Sequence, residues 1–283
     1  MGALQKKANA KINLFLDICA KRPDGYHNII SVMQSVSLYD TVTVEYIKSR
    51  KKSIEISCTD SRVPLGAGNI AYRAADMILH SGLVKIHIDK HIPMEAGLAG
   101  GSTDAAACLI LLNELICEKI PQDALLSIGA RLGADVPFCM CGGTRLTRGV
   151  GDIISDFKPM PDHAIVIAYM GEGVSTPEAY RDLDMLYDSF RSYTPHTALL
   201  DTLNTDPCDI SRGMFNIFED VVISKRPAVK HLKDSMLELG AEGAMMSGSG
   251  TSVFGLFDSD EAAERAARAL TGSGAFAYVC RPC

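Results

Sequence analysis

Five small residues interrupt the chain where an alternating, strand-like pattern gives way to a helical one. The stretch "IDKHIPMEAGLAGGSTDAAACLILLNEL" covers 88–115, and its small residues are Ala96, Gly97, Ala99, Gly100 and Gly101. Residues with little or no side chain lose more conformational entropy on folding and add nothing to a hydrophobic core. A run of them therefore indicates that another group approaches the main chain closely. A strand that leads through such a turn into a helix presents free N–H groups at the positive end of the helix dipole, which favours an anion.

The helix after this loop is predicted over Asp104–Ile116, with Ser102 or Thr103 as its cap. Both hydroxyls are also natural partners for phosphate oxygens or for a Mg²⁺ ion that bridges them. A tight strand–helix connection without a ligand is the alternative interpretation. The loop has neither the Gly-Lys-Ser/Thr ending of a P-loop nor the G-x-G-x-x-G order of a dinucleotide site.

The composition favours a globular protein with a small-molecule ligand. The chain has 283 residues, enough for one large or two ordinary domains, and 47% of them are hydrophobic. A formal net charge of −6 and short Lys/Arg runs argue against nucleic acid or an anionic membrane as the main partner. The apolar segment 12–19 is broken by Asn13 and Asp17 and is too short for a signal peptide or a span, so we expect a cytoplasmic protein.

The nine cysteines are scattered, which favours reduced thiols over a disulfide framework. Two close pairs could hold zinc, Cys139 with Cys141 and Cys280 with Cys283. The first pair alternates along an apolar run and the second has no His or further Cys nearby. A structural or incidental role is therefore the favoured interpretation.

Pattern changes divide the chain at "KPMPD" near 158–162, where Pro159 and Pro161 indicate a boundary between domains 1–158 and 159–283. Before it, strand-like segments such as "SVSLYDTVTVEYI" alternate with helical ones such as "NIAYRAADMILHSG". After it, "HAIVIAYM", helical pieces, "GAMMSGSGTSVFGLF", "DEAAERAARAL" and "AFAYVC" predict an α+β sandwich of the split βαβ kind.

The segment "PMEAGLAGGSTDAA" resembles the phosphate loop of the galactokinase, homoserine kinase, mevalonate kinase and phosphomevalonate kinase (GHMP) superfamily. The resemblance implies an α+β fold with an N-terminal ribosomal-S5-domain-2-like α/β domain, a C-terminal ferredoxin-like α/β sandwich and an active site in the cleft between them. It also implies that the loop wraps the phosphates of ATP. The loop residues are Pro93, Met94, Glu95, Ala96, Gly97, Leu98, Ala99, Gly100, Gly101, Ser102 and Thr103. Because an acid repels triphosphate, we expect Glu95 to point outward.

Four segments in order extend the resemblance over Ala10–Phe257: "AKINLFLDICAKRPDGYHNIISVMQSVSLYD", "PMEAGLAGGSTDAA", "RLGADVPFCMCGGTRLTRGVGD" and "MSGSGTSVFGLF". The set is similar to the branch of the superfamily that phosphorylates a CDP-linked methylerythritol. The resemblance implies transfer of the ATP γ-phosphoryl group to the tertiary 2-hydroxyl of that substrate, with Mg²⁺, on the non-mevalonate route to isoprenoid precursors. It implies small-molecule partners only and a monomer or weak homodimer.

By the same resemblance, Asp135 in "LGADVPF" is the base and Lys11 in "AKINL" is its cationic partner. A carboxylate beside a cation suits the loss of a hydroxyl proton while negative charge spreads over the transferred group. Without the resemblance, Asp135 is a loop or cap aspartate and Lys11 a surface lysine. Asn13 follows on the same strand face as Lys11 and is expected to hydrogen-bond the acceptor.

A second glycine turn, "SGSGTS" at 247–252, lies between two apolar strands and by itself indicates a plain hairpin. The superfamily has a third motif of this form, packed against the phosphate loop and the acceptor. The resemblance therefore makes Gly248, Ser249 and Gly250 substrate-site residues.

The resemblance also places Tyr26, His27, Thr176 and Tyr180 around the cytidine. The turn "RPDG" can push Tyr26 and His27 into a cleft, and Ser175 or Thr176 can cap a helix that carries Tyr180 one turn later. Stacking between the two tyrosines tolerates any base, so His27 is expected to read the base edge. Ordinary half-buried tyrosines and a solvated His27 are the alternative.

For Mg²⁺, the hydroxyl of Ser102 is the expected protein ligand, with ATP phosphates and water as the others. Asp104 is a second candidate, although an acid that interacts with the helix dipole is favoured there. Asn69 opens a helix, and the resemblance puts it at the border of the adenine pocket. A plain N-cap is an equal alternative.

Two rival functions stay open from the sequence. A homoserine or mevalonate kinase would share the loop and architecture but would not need "RPDGYH" or an aromatic after "STP". A non-catalytic RNA-associated α/β module predicts a basic face with exposed aromatics, against the acidic balance of this chain.

Overall fold

The computed structural model describes residues 2–171, 173–205 and 210–283. The strands are β1 (Gly2–Lys21), β2 (His27–Ile47), β3 (Ser53–Cys58), β4 (Leu83–Asp89), β5 (Thr144–Gly149), β6 (Ile153–Asp156), β7 (Ala164–Tyr169), β8 (Phe215–Asn216), β9 (Gly243–Met246), β10 (Val253–Phe257) and β11 (Phe276–Cys280). The α-helices are α1 (Ile70–Ile78), α2 (Gly100–Leu115), α3 (Gln122–Leu132), α4 (Val136–Cys141), α5 (Thr176–Leu186), α6 (Thr197–Thr205), α7 (Glu219–Lys225), α8 (Pro227–Glu238) and α9 (Asp260–Gly272).

The chain forms two compact units, each assembled from separated stretches. The first unit contains the chain up to Ala10, Leu38–Ile92 and Ala99–Cys141, and the second contains Lys11–Ser37, Pro93–Leu98 and Gly142–Cys283. The strands β1 and β2 therefore contribute residues to both units. The division into 1–158 and 159–283 stays a prediction about domains, since compactness groups the chain differently.

In the first unit, β3 runs parallel to β4, and β4 runs antiparallel to the second half of β2. Alternate residues of β4 are buried, namely Val84, Ile86 and Ile88, because one face of these strands is covered by helices. The helix α2 is buried on nearly all sides and carries the small run 105–107, which lets α1 pack closely against it. This packing fixes the helix that follows the glycine-rich loop.

In the second unit, a four-stranded antiparallel sheet has the order β11-β7-β10-β9. The strands therefore lie in the order fourth, first, third, second along this part of the chain, which confirms the ferredoxin-like sandwich predicted for it. Between the first and second of these strands the chain inserts α5, α6, β8 and α7 before α8. The short strand β8 pairs in parallel with β1, with Phe15 opposite Phe215.

Two predicted helix bounds differ from the structure. The helix α2 begins at Gly100, four residues before the prediction, because its two glycines are helical here instead of belonging to the loop. The helix α1 ends at Ile78, before the predicted stop at Gly82, and the N–H of Leu79 closes its last turn. Within the described residues, no helix combines the length and apolar character needed to cross a membrane.

Candidate active site

The glycine-rich loop has a backbone that alternates in handedness. Glu95, Gly97 and Ala99 have positive φ angles of 53°, 77° and 58°, whereas the residues between them do not. Alternation of this kind turns successive N–H groups into one concavity, which suits an anion. Left-handed conformations at Glu95 and Ala99 cost free energy in non-glycine residues and are concentrated at functional sites. Glu95 is exposed, as expected from its charge.

The helix α2 starts directly after this loop, with Ala99 as its N-cap residue and no side-chain capping bond. The prediction that Ser102 or Thr103 caps the helix is therefore wrong, since both lie inside the first turn. Thr103 is buried, whereas Ser102 is half-buried and keeps its hydroxyl in the first turn. The first N–H groups of α2 consequently have no side-chain cap and can serve an anion.

The group that approaches the bare backbone at Gly97 belongs to the second glycine turn. A Cβ atom at Gly97 would lie 2.1 Å from the backbone oxygen of Ser247. The Ser247 hydroxyl donates to the Gly97 carbonyl at 3.0 Å, and the Ser252 N–H donates to the Ala96 carbonyl at 3.1 Å. The turn is indeed a β9–β10 hairpin, and it packs against the loop as the superfamily pattern implied.

We expect Gly97→Ala to destabilise the protein for two reasons, the left-handed φ and the clash with Ser247. The control Gly274→Ala carries a similar φ of 92°, but none of the described atoms lies within 4 Å of its added Cβ. Since overpacking costs about 1–3 kcal/mol, the free energy of unfolding should fall by about that much more for Gly97→Ala than for the control. Urea unfolding measures both, and equal losses would show that the close approach does not matter.

Lys11 and Asn13 lie on the same face of β1, and the structure brings their side chains together. The Lys11 ammonium donates to Asn13 Oδ1 at 2.7 Å and to the Gly97 carbonyl at 2.9 Å. Both side chains are buried, at 4% and 1% exposure, so the alternative of a surface lysine is wrong. Within its own unit, no described carboxylate forms a salt bridge with Lys11, so its charge is held by neutral oxygens and stays available for an anion.

Asn13 is more engaged than the sequence suggests. Its Oδ1 also accepts the Gly248 N–H at 3.0 Å, and its Nδ2 donates to the Ser31 hydroxyl at 2.8 Å. The Ser31 hydroxyl in turn donates to the carbonyl of Phe15 at 2.6 Å. The side chain of Asn13 therefore joins the lysine to the second glycine turn, and its predicted bond to the acceptor stays a prediction.

Asp135 lies at the start of the short helix α4 and is half-buried. Its carbonyl accepts the Cys139 N–H at 3.0 Å, which closes the first turn of that helix. The carboxylate thus lies at the end of the helix that favours negative charge. This position agrees with both interpretations of Asp135, a cap aspartate and a catalytic base.

His27 and Tyr180 form a stacked pair, with ring centroids 4.7 Å apart and planes inclined by 19°. His27 is buried at 6% exposure, and its Nε2 lies 2.8 Å from Asp184 Oδ1, so the alternative of a solvated histidine is wrong. One face of Tyr180 is thereby covered by His27, and Phe218 meets the same ring edge-on. Tyr26, in contrast, is 66% exposed.

The side chains of Thr176 and Asn69 each form hydrogen bonds with other residues of the protein. Thr176 Oγ1 lies 2.8 Å from the hydroxyl of Ser249 in the second glycine turn, while Ser175 is the N-cap residue of α5 without a side-chain capping bond. Neither side chain caps that helix, which corrects the prediction. Asn69 caps α1 by accepting the Ala71 N–H at 2.8 Å and donates to the Pro64 carbonyl at 3.0 Å. The plain N-cap interpretation of Asn69 is confirmed, and its place beside adenine stays a prediction.

A buried charge cluster in the first unit was missed by sequence reasoning. Lys90 forms salt bridges with Asp40 and, at 3.4 Å, with Asp104, and the three side chains are at most 5% exposed. Burial raises the pKa of the Asp104 carboxyl, Lys90 opposes this and Asp40 adds to it. One oxygen of Asp104 has no hydrogen-bond partner among the described residues. Lys90 is therefore the main compensation for two buried acids.

This cluster lies under the start of α2, because a Cβ at Gly100 would come within 2.8 Å of Lys90 Nζ. Asp40 also accepts the N–H groups of His91 and Ile92, at 2.6 and 2.8 Å, and thereby fixes the chain that enters the loop. A lysine just before the loop, in "IDKHIP", was the available sequence signal, but its partners are distant along the chain.

The donors suit a Mg²⁺ ion held mostly by phosphate and water. Within the part of the chain that the structure describes, no three His, Cys, Asp or Glu side chains are grouped to hold a metal. Ser102 supplies a hydroxyl in the first turn of α2, whereas Asp104 is buried against Lys90. A single hydroxyl is an acceptable protein contribution, since Mg²⁺ keeps much of its water.

Both halves of the chain match family descriptions of one class of small-molecule kinase. The family "GHMP kinases N terminal domain" matches residues 69–143, and "GHMP kinases C terminal" matches 199–275. A homoserine kinase from Cytophaga hutchinsonii has the same fold, with a TM-score of 0.71 at 20% identity over 100% of this chain and 95% of that one. The fold and the loop are thus those of the GHMP kinases.

Closer similarity narrows the class. A 4-diphosphocytidyl-2-C-methyl-D-erythritol kinase from Clostridium perfringens is 41% identical over 98% of this chain and 96% of that protein. One from Clostridium botulinum strain Hall is 42% identical over 89% and 90%. The crystal structure of a 4-(cytidine 5'-diphospho)-2C-methyl-D-erythritol kinase superimposes with a TM-score of 0.79, 32% identity and 99% coverage of both chains. The chain belongs to this family of GHMP kinases.

Proposed function

We propose that the protein transfers the γ-phosphoryl group of ATP to the 2-hydroxyl of 4-diphosphocytidyl-2-C-methyl-D-erythritol. The observation that carries the proposal is the buried Lys11 ammonium, held by Asn13 and the Gly97 carbonyl at the glycine-rich loop. A fixed cation without a carboxylate partner in its own unit is suited to a transferred phosphoryl group. The acceptor in this proposal is the substrate for which the related kinases are named.

In this function, the N–H groups of the loop and of the first turn of α2 hold the ATP phosphates. Asp135 accepts the proton of the 2-hydroxyl while the oxygen of that hydroxyl bonds to the γ-phosphorus of ATP. The bond between the γ-phosphorus and the oxygen that bridges it to the β-phosphorus breaks, and ADP leaves. Lys11 stabilises the negative charge on the transferred group. Ser102 would contribute to holding Mg²⁺, which neutralises phosphate charge when bound.

Tyr26 and Tyr180 are proposed to hold the cytosine between their rings. The exposure of Tyr26 and the fixed orientation of Tyr180 support this assignment. His27 recognises the base edge through Nδ1 or its backbone, because Asp184 engages Nε2. The same proposal includes small molecules as the only substrates and the cytoplasm as the location. It also includes a monomer or weak homodimer as the oligomeric state.

We expect Tyr26→Ala and Tyr180→Ala each to raise KM for the cytidylyl substrate and to leave KM for ATP nearly unchanged. Each stacking partner contributes about 1–3 kcal/mol, so the rise should be about tenfold or more. The matched control is Tyr278→Ala, a tyrosine of β11 that is 38% exposed. Steady-state kinetics with both substrates measures the effect, and equal losses for ATP and the cytidylyl substrate would contradict the clamp.

The function itself is tested by a coupled ADP-release assay with 4-diphosphocytidyl-2-C-methyl-D-erythritol, with mevalonate and homoserine as competing acceptors. Turnover with the cytidylyl substrate alone is expected. Turnover with one of the other two, and not with it, would move the protein to another branch of the GHMP kinases. Thermal shifts with ATP, CDP and RNA oligomers test the RNA-binding alternative, for which only RNA would raise the melting temperature.

A further inference from the structure

Asn216 is a buried amide at the end of the short strand β8, outside every motif that the sequence singled out. It is 3% exposed, and β8 is held beside β1 by pairing of Leu16 with Asn216 and by a 3.0 Å bond from the Ile217 N–H to the Leu16 carbonyl. Polar side chains at such depth are costly unless they are fully hydrogen-bonded. The hydrogen-bond partners of Asn216 therefore indicate which part of the protein its side chain holds in place.

Among the described residues, the Asn216 side chain forms hydrogen bonds with main-chain groups. Its Nδ2 donates to the Met246 carbonyl at 2.7 Å and to the Gly248 carbonyl at 2.8 Å, and its Oδ1 accepts the Phe218 N–H at 3.0 Å. The two carbonyls flank the entry into the second glycine turn. One amide group thus fixes the turn from the side of β8.

Gly248 connects Asn216 to Lys11 through the side chain of Asn13. Its N–H donates to Asn13 Oδ1, the same oxygen that accepts the Lys11 ammonium. Gly248 itself is left-handed, with a φ of 59°, and a Cβ there would lie 3.1 Å from Lys11 Nζ. A shift of this turn must therefore move either Asn13 or the ammonium, since both are buried and closely packed.

The proposal rests on the proposed kinase function. We propose that Asn216 is a positioning residue for phosphoryl transfer, which holds the Gly248 main chain and, through Asn13, orients the ammonium of Lys11. Lys11 depends on this arrangement because its hydrogen-bond partners in the second unit, Asn13 Oδ1 and the Gly97 carbonyl, are neutral oxygens rather than a carboxylate that would hold it by charge.

Asn216→Asp keeps the shape of the side chain but replaces the donor with an oxygen that faces two carbonyls. We expect kcat to fall about 10- to 100-fold, since a displacement of about 1 Å at a reacting group can cost about 10²-fold. The control is Asn204→Asp, the same change at an exposed position of α6, which should leave kcat within about twofold of the parent.

A double-mutant cycle with Lys11→Met separates positioning from a structural role. If Asn216 acts through Lys11, Asn216→Asp lowers kcat by less than about threefold once Lys11 is Met, because the two residues act as a unit. The same 10- to 100-fold loss on both backgrounds, or no loss on the parent background, would overturn the proposal. Should Asn216→Asp not fold, Asn216→Ser, whose shorter side chain lacks the amide that donates to both carbonyls, decides it in the same cycle.

The parent enzyme separates failure of this proposal from failure of the proposed function. A parent without ADP release on the cytidylyl substrate refutes the function. An active parent whose cycle is additive refutes the role of Asn216 alone.

Discussion

Asp135→Asn is expected to lower kcat by about 10²–10⁴, the range for removal of a positioned general base. The fold should be retained, because the bond from Cys139 to Asp135 uses the Asp135 carbonyl and asparagine is equally favourable at a helix start. ATP binding should be retained as well, since the phosphates are assigned to the loop and α2. ADP release measures kcat, and calorimetric titration measures the dissociation constant of ATP.

The control for this variant is Asp123→Asn, which removes an exposed carboxylate from the first turn of α3. It changes the charge near a helix start in the same way, and its effect should stay within about 0.3–1 kcal/mol of stability with kcat unchanged. A loss below tenfold for Asp135→Asn would show that Asp135 is only a cap residue.

Lys11→Met is expected to cost about 10²–10³ in kcat, as for loss of one electrostatic contact in the transition state. Since Lys11 and Asp135 are proposed to serve one step, the double variant should be little worse than either single variant. Fully additive losses would show that the two residues have separate roles.

Lys90→Met should give the largest loss of stability. It leaves Asp40 and Asp104 buried without their cation, and removal of one partner from a buried ion pair costs about 3–5 kcal/mol. The matched control is Lys52→Met, which breaks an exposed salt bridge to Asp76 of 2.7 Å and should cost no more than about 1 kcal/mol. Urea unfolding at neutral pH measures both free energies.

A triple variant tests the cause of this loss. Replacing both acids by asparagine in the Lys90→Met background keeps acceptors for the His91 and Ile92 N–H groups and removes the acidic groups that have lost their cation. It should be more stable than Lys90→Met alone. If it is no more stable, the lysine contributes by packing and not by charge.

The sequence was sufficient to locate the glycine-rich loop because small residues between a strand and a helix have few other uses. The common face of Lys11 and Asn13 follows from strand alternation, and the structure confirms it by their hydrogen bond. The ferredoxin-like order of β11, β7, β10 and β9 agrees with the succession strand, helix, strand, strand, helix, strand that the sequence indicates for this part of the chain.

Contacts between distant parts of the chain were not predictable. Nothing local distinguishes Asn216 from other asparagines, and its side chain bonds carbonyls that the fold brings from another hairpin. The helix α2 begins four residues before the predicted start, because Gly100 continues the helix instead of belonging to the loop. Capping by Ser175 or Thr176 was predicted from their positions, yet neither side chain caps α5, and the Thr176 hydroxyl lies 2.8 Å from that of Ser249.

The discontinuous make-up of the two units limits how the gene can be cut. The chain passes from one unit to the other after Ala10, Ser37, Ile92, Leu98 and Cys141. A fragment that ends at the proline-rich segment would contain Lys11–Ser37, the parts of β1 and β2 that belong to the second unit. Most of the residues that these strands pack with in that unit would be missing. Neither unit can therefore be expressed as an uninterrupted segment.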